Sequence, residues 1–408
     1  MTNHRSLVLL CLMFLALGAV VASVGPALGE LASRSGTDLG TIGSVFSALF
    51  LGGLLGELAA GPLGDRTGER VVLFIGALLM AAGTLGLAAS RSLWATLGLM
   101  FVAGLGEGTL VLGGNVWAGK AFDTHAVAAL NLVNVFYGVG AFLGPLAASQ
   151  FLRLGRTALL ALWAPAAGFL LLAPFFLTVL PRITARQGQE RAGGDASAAP
   201  AGWLASPALW VPALLLLVYV GAENGMGGWT TTYVAGSAGV SAETGAMVTS
   251  GFWLALTLGR ILGVPLGLRL SSWRLLGLSV LTAVIGSAVL VLGQGNLTGT
   301  TAGTVLLGLG FGPIYPVGMA VVLDVFHGSG KVASVAGAMG SVGGALLPWL
   351  QGLLLSRRGI ESGVWFVVAV CVTMLILAFV SRSVVLRNHQ GENERAGVQQ
   401  GLPAGREP

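Results

Sequence analysis

Residues 56–70 read GELAAGPLGDRTGER. A long apolar run ends there in a short Gly- and Pro-containing stretch carrying Asp65, Arg66, Glu69 and Arg70, and another apolar run starts at once with Val71. So short a charged turn between two apolar runs cannot link soluble domains. It reads as the water-facing elbow of a helical hairpin in a membrane. The stretch recurs in the second half, where residues 259–269 read GRILGVPLGLR. Gly56, Pro62, Leu63, Gly64 and Arg66 each have a counterpart 203 positions on, at Gly259, Pro265, Leu266, Gly267 and Arg269.

Composition points the same way. The 408 residues are 55% hydrophobic and 9% charged, against about 25% charged in soluble domains. Apolar runs of this length must be helical, because lipid offers the backbone no hydrogen-bond partners. The 65 glycines would weaken soluble helices but permit close packing between membrane helices. The net charge of +5 sits in loops and reads as membrane topology, not as a nucleic-acid surface. Cys11 and Cys371 lie in separate apolar runs, which leaves no disulfide framework and no Cys-x-x-Cys metal site. There is no GxxxxGK[ST] stretch to bind a nucleotide, and no nucleophile–base or metal cluster at membrane depth. The chain is therefore expected to be no enzyme and to need no cofactor.

The apolar runs and their breaks predict helices at 6–28, 39–60, 71–89, 93–117, 126–148 and 157–180, then at 208–234, 244–269, 275–292, 299–324, 332–355 and 362–385. The repeat persists along them. Gly104, Leu105, Gly106 and Gly108 recur at Gly308, Leu309, Gly310 and Gly312, and Val139, Gly140, Leu143 and Pro145 recur at Val342, Gly343, Leu346 and Pro348. The expected fold is an all-α membrane protein, twelve transmembrane helices in two parallel six-helix pseudo-repeats. Residues 1–180 form one bundle, 181–207 a polar linker, 208–385 the second bundle and 386–408 a disordered tail. Basic residues concentrate on one side, among them Arg66, Arg70, Arg182, Arg186, Arg269 and Arg274. That side, with both termini, is expected in the cytoplasm, for a monomer in the plasma membrane.

GPLGDRTGER between the second and third spans resembles the signature of the major facilitator superfamily, carried here by Gly61, Asp65, Arg66, Gly68 and Arg70. Within it, YVGAENGMGGWTTTY (residues 219–233), ALNLVNVFYGVGAFLGP (129–145), FWLALTLGR (252–260) and FGPIYP (311–316) resemble the fucose-permease group of sugar:proton symporters. The resemblance implies rocker-switch transport of a sugar with protons. It also implies that Asp65 caps the cytoplasmic start of the eleventh span when the protein opens outward, with Arg66 and Arg70 in the charge network. There are departures from the group. The first span has no acid, only Ser23, and aligning on Asn115 places Val111 where the group's fourth-span acid falls.

Ionisable groups at bilayer depth are functional candidates by default. Glu223 lies mid-span beside Asn224, in a run broken by Gly221, Gly225, Gly227 and Gly228 that invites local unwinding. Trp229 and Tyr233, four apart, share a face that could stack on a sugar; the alternative is a Glu held by an interhelical bond and an anchoring Trp. Glu107, among close-packed glycines, is a proton-coupling candidate with Glu223, or else a structural hydrogen-bonder. Asn131, Asn134 and Tyr137 offer amides and a phenol to a hydroxyl-rich solute, or bridge helices. Asn115 joins this set of substrate-binding candidates. Glu57 and Arg260 occupy equivalent positions with opposite charge. They read as a gate pair or, the reading favoured on the residues, as groups with separate partners. The functional expectation is uptake of a monosaccharide or similar small polar solute coupled to protons. The alternative is proton-driven efflux of lipophilic or cationic compounds.

Overall fold

The computed structural model describes residues 2–122, 125–181, 203–326 and 328–400. Among them, twelve helices are long and apolar enough to cross a membrane. In the first half these are α1 (Thr2–Ser35), α2 and α3 (Leu39–Ile42 and Ser44–Thr67, one span), α4 (Glu69–Leu87), α5 (Leu93–Phe122), α6 (Ala126–Arg153) and α7 (Trp163–Thr178), the last entered through a 3-10 turn. In the second half they are α8 (Pro207–Ser237), α9 (Ala242–Gly267), α10 (Ser272–Leu292), α11 and α12 (Leu297–Phe311 and Ile314–Val325, one span), α13 (Gly330–Arg358) and α14 (Ile360–Gln400).

The elbow that reveals the fold is tighter than its sequence suggests. Helix α3 continues through Pro62 to Thr67, and Gly68 alone, at φ +85°, separates it from α4. Three further differences stand out. The tenth span breaks at Gly312 and Pro313, since proline donates no backbone hydrogen bond. Of the expected disordered tail, 386–400 continue α14, extending a helix that the membrane span has already nucleated, and 401–408 lie outside the described residues. Most of the expected linker, 182–202, lies outside the described residues, and Pro207 already belongs to α8.

The two repeated motifs turn out to be packing partners. A Cβ on Gly56 of α3 would collide with the Leu105 backbone of α5, and a Cβ on Gly108 with the Gly53 backbone of α3. In the second half Gly259 of α9 meets Leu309 in the same way, and Gly312 meets Gly259 and Arg260. The glycines therefore let backbones touch, and the contact repeats because the bundle repeats. It also fixes Glu57 and Glu107, next to these glycines, on adjoining helices.

Short turns gather at two ends of the molecule. At the end remote from the N-terminus the halves are joined. Trp229 of α8 packs on Phe46 of α3, ring centroids 6.3 Å apart, and donates its Nε1–H to the Pro348 carbonyl of α13 at 2.8 Å. Asp38 accepts from Ser356 Oγ at 2.7 Å while capping the Gly40 and Thr41 amides at 2.8 and 3.1 Å. At the opposite end Asp65 and Arg66 are exposed, and α13 starts at Ser329 with no side-chain cap. The molecule is closed at one end and open at the other.

Hydrogen bonds from Thr41 and Ser356 hold the Asp38 carboxyl well below its ordinary value. A depressed folded pKa contributes stability that is present above the unfolded value and is lost as pH falls through the folded one. Asp38→Ala is expected to cost about 1 kcal/mol, the usual worth of an N-cap. The difference in melting temperature from wild type should hold constant between pH 7 and pH 5, and shrink only below the ordinary carboxylate range.

Candidate functional site

Glu223 sits at the middle of α8 and is 8% exposed. Its Oε1 accepts from Arg260 Nη2 of α9 at 2.8 Å. Two charges at this depth need each other, because an unpaired ion in the bilayer core costs several kcal/mol. Glu223 can meet Arg260 because both helices are narrow there. Gly227 lies against the Trp253 ring, and Gly259 lets α9 sit on α11.

Three of the chain's four tyrosines converge on this pair. Tyr219, one turn before Glu223, is fully buried and lies within electrostatic reach of both charges, yet its hydroxyl has no hydrogen bond of good geometry. Its ring meets Phe311 edge-on at 5.8 Å and Tyr315 at 6.2 Å. Tyr315 of α12 lies within electrostatic reach of Glu223, Arg260 and, from the other half, Glu57. Tyr137 of α6 is the first half's contribution, placed within reach of Glu107, Glu223 and Arg260. Glu107 and Glu57 are close enough to repel each other, and neither carboxylate has a hydrogen-bond or ion-pair partner among the described residues. The arrangement is a ring: an ion pair from one half, two unpaired carboxyls from the other, and phenols between. A cavity of about 260 Å³ extends from Arg260 toward the open end, between Gly263, Val264, Pro313, Pro316 and Val317.

The remaining candidates divide by place. The gate pair of Glu57 with Arg260 does not form here: Arg260 has a separate partner in Glu223, as the favoured reading expects, whereas Glu57 has none among the described residues. Nor does the glycine run unwind α8, which is continuous from Pro207 to Ser237. Its glycines serve close approach instead, Gly228 to the Phe46 ring and Gly227 to Trp253. Trp229 and Tyr233 are therefore carried away from the ion pair, into the closed end. Tyr233 reaches the Leu290 carbonyl at 3.4 Å, and both line a gap of only about 10 Å³ with Gln351, room for about one water. Asn224 and Asn134 turn back on their own helices, to Val220 and Leu130 at 2.9 and 2.8 Å. Asn131 and Asn134 are exposed on α6 toward the open end. Asn115 keeps a buried, unpartnered Oδ1. Arg70 bonds the Phe176 carbonyl at 3.2 Å.

Tyr219 and Tyr315 were not among the candidates. One signal was available: tyrosine is scarce here, with 4 residues in 408, and Tyr219 stands one helical turn from the mid-span acid.

The family profile described as Major Facilitator Superfamily matches residues 9–346 and, in a second overlapping match, 237–405. The human protein named sodium-dependent glucose transporter 1 is 26% identical over 390 residues, covering 86% of this chain and 73% of its own. The Xenopus laevis protein of that name is 23% identical, covering 82% and 73%. Among solved structures, a point mutant of the nucleoside transporter NupG superposes with a TM-score of 0.76 at 15% identity, over 94% of this chain and 100% of the other. A POT family transporter in complex with 5-aminolevulinic acid gives 0.75 at 13% identity, over 94% and 96%.

Proposed function

This chain belongs to the major facilitator superfamily of membrane transporters, and from that premise we propose that it takes up a monosaccharide or similar polyol, coupled to protons, by alternating access. The observation that carries the reading is the ring around Glu223 and Arg260. An ion pair flanked by phenols offers donors and acceptors on every side, the capacity a hydroxyl-rich solute needs. The unpartnered carboxyls of Glu57 and Glu107 lie across from the pair and can take a cation without first breaking a bond. The names of the curated relatives, sodium-dependent glucose transporters, support a sugar and a coupling cation. The basic residues near the termini support a cytoplasmic open end, so the conformation described is the inward-open one. Asp65 then stands clear of α13 because the cytoplasmic latch is undone.

Uptake of labelled hexoses into proteoliposomes, with an inward proton gradient, an inward sodium gradient or neither, tests this. Accumulation above equilibrium with the proton gradient is expected. Equilibration without accumulation would remove the coupling and leave a sugar carrier. The apolar cavity beside Arg260 favours the second reading, efflux of lipophilic or cationic compounds. Resistance to such compounds on expression, with no hexose flux, would transfer the assignment.

A further inference from the structure

Two hydrogen bonds cross between the halves with the same length and the same chemistry. Ser47 Oγ of α3 donates to the Ala345 carbonyl of α13 at 2.7 Å, and Ser250 Oγ of α9 donates to the Phe142 carbonyl of α6 at 2.7 Å. Ser250 stands 203 positions after Ser47, and Ala345 stands 203 after Phe142. One bond is thus the image of the other under the pseudo-symmetry that the elbow first revealed. Between them the first spans of the two halves touch. A Cβ on Gly25 of α1 would lie 2.8 Å from the Gly228 carbonyl oxygen of α8 and 3.0 Å from its Cα. Gly228 is itself the counterpart of Gly25. A residue in contact with its own counterpart lies on the axis, and flanking contacts that exchange partners are the mark of an isologous interface.

The other contacts at this end lack that symmetry. Ser241 stands at the counterpart of Asp38 and caps Thr244 within its own half, while Arg153, the counterpart of Ser356, is exposed. The counterpart of Trp229 is Pro26. The serines also differ from most hydroxyls of the bundles, since theirs are bonds between the halves. Ser23, Thr84, Thr109, Thr230, Thr249 and Thr257 all bond the carbonyl four residues back, whereas Ser47 and Ser250 reach across. That local bond stays open to them when the halves part, so breaking the contact leaves no hydroxyl stranded. The bond across the halves is therefore only modestly better than the local one, so it favours closure slightly and reversibly.

Resting on the alternating-access reading above, we propose that Ser47 and Ser250 form a paired clasp that holds this end closed and sets the balance between the two access states. Double electron–electron resonance in lipid nanodiscs reads that balance with no solute present. Spin labels at Arg91→Cys and Leu292→Cys, exposed positions at the closed end of opposite halves, report opening there; the native thiols Cys11 and Cys371 are buried. Ser47→Ala and Ser250→Ala are each expected to lower the ratio of closed to open populations about threefold, the equivalent of ~0.6 kcal/mol per hydrogen bond within a membrane. Equal effects are expected because the bonds are images of each other, and together they should give about tenfold. Gly25→Ala, which forces a methyl onto the axis, should open the same end with both serines in place. An unchanged ratio in the double variant would overturn the clasp, as would an effect confined to one serine or opening in Gly25→Ala alone. Absence of hexose flux in a separate assay bears on the solute and leaves these populations as the test of the clasp.

Discussion

Arg260→Ala is expected to lower transport by about a hundredfold or more, and Glu223→Gln to remove gradient-driven accumulation altogether. Removing one member of a buried ion pair strands the other, at a cost of about 3–5 kcal/mol. The lower end applies here, because the Arg260 side chain keeps 29% of its surface exposed toward the open end; about 3 kcal/mol corresponds to roughly a hundredfold. A purely structural pair makes a different prediction from a solute site. Exchanging the two residues, Glu223→Arg with Arg260→Glu, restores charge balance between α8 and α9 and should recover most of the thermal stability. It does not restore the arrangement of Tyr219, Tyr137 and Tyr315 around each charge, so transport should stay low. Melting temperatures and initial uptake rates, measured on the same preparations, separate the two. Recovery of both together would reduce the pair to a structural tie.

Gly108→Val is expected to be among the most damaging single substitutions in the scaffold. Its new Cβ would enter the space held by the Gly53 carbonyl, which is main chain and cannot rotate aside. Overpacking of this kind costs about 1–3 kcal/mol, sometimes more, and here it would also drive α5 off α3 and separate Glu107 from Glu57. Gly98 on the same helix is the control, with nothing within 4 Å of its Cβ position. Gly98→Val should therefore leave stability nearly unchanged, because valine is a slightly better helix former than glycine. Yield of monodisperse protein and its melting temperature distinguish the two. Similar losses in both would show that the close α3–α5 contact is not what the repeated glycines are for.

The architecture was legible because lipid enforces it. Once the backbone must satisfy itself, apolar runs become helices, and the recurrence of GxxxxxPLGxR and GLGxG at nearly one offset makes two matched bundles. Helix ends were less legible, since a span can continue into water as α3 does to Thr67 and α14 to Gln400. At the site, Glu223 stood out through the expense of a mid-span charge, and Arg260 for the same reason. Their partnership did not, because nothing in the sequence tells which neighbours α8 and α9 present to each other. The place of Trp229 and Tyr233 was hidden by the same gap. They share a helix face with each other, but that face belongs to the closed end. The glycines from 221 to 228 were noticed for a flexibility they do not show; what they provide is proximity. The serine clasp was present in the sequence as a pair of residues 203 apart, yet only the structure shows that each reaches out of its own half.

The most direct test of the account is the transient current evoked when hexose is added to protein reconstituted on a solid-supported membrane, with no ion gradient imposed. Sugar entry at the Glu223–Arg260 ring, carried together with a proton, predicts an inward positive current with hexose that grows as pH falls from 8 to 6 and vanishes in Glu223→Gln. A wild-type protein that gives no current with any hexose, but responds to lipophilic cations, would contradict it.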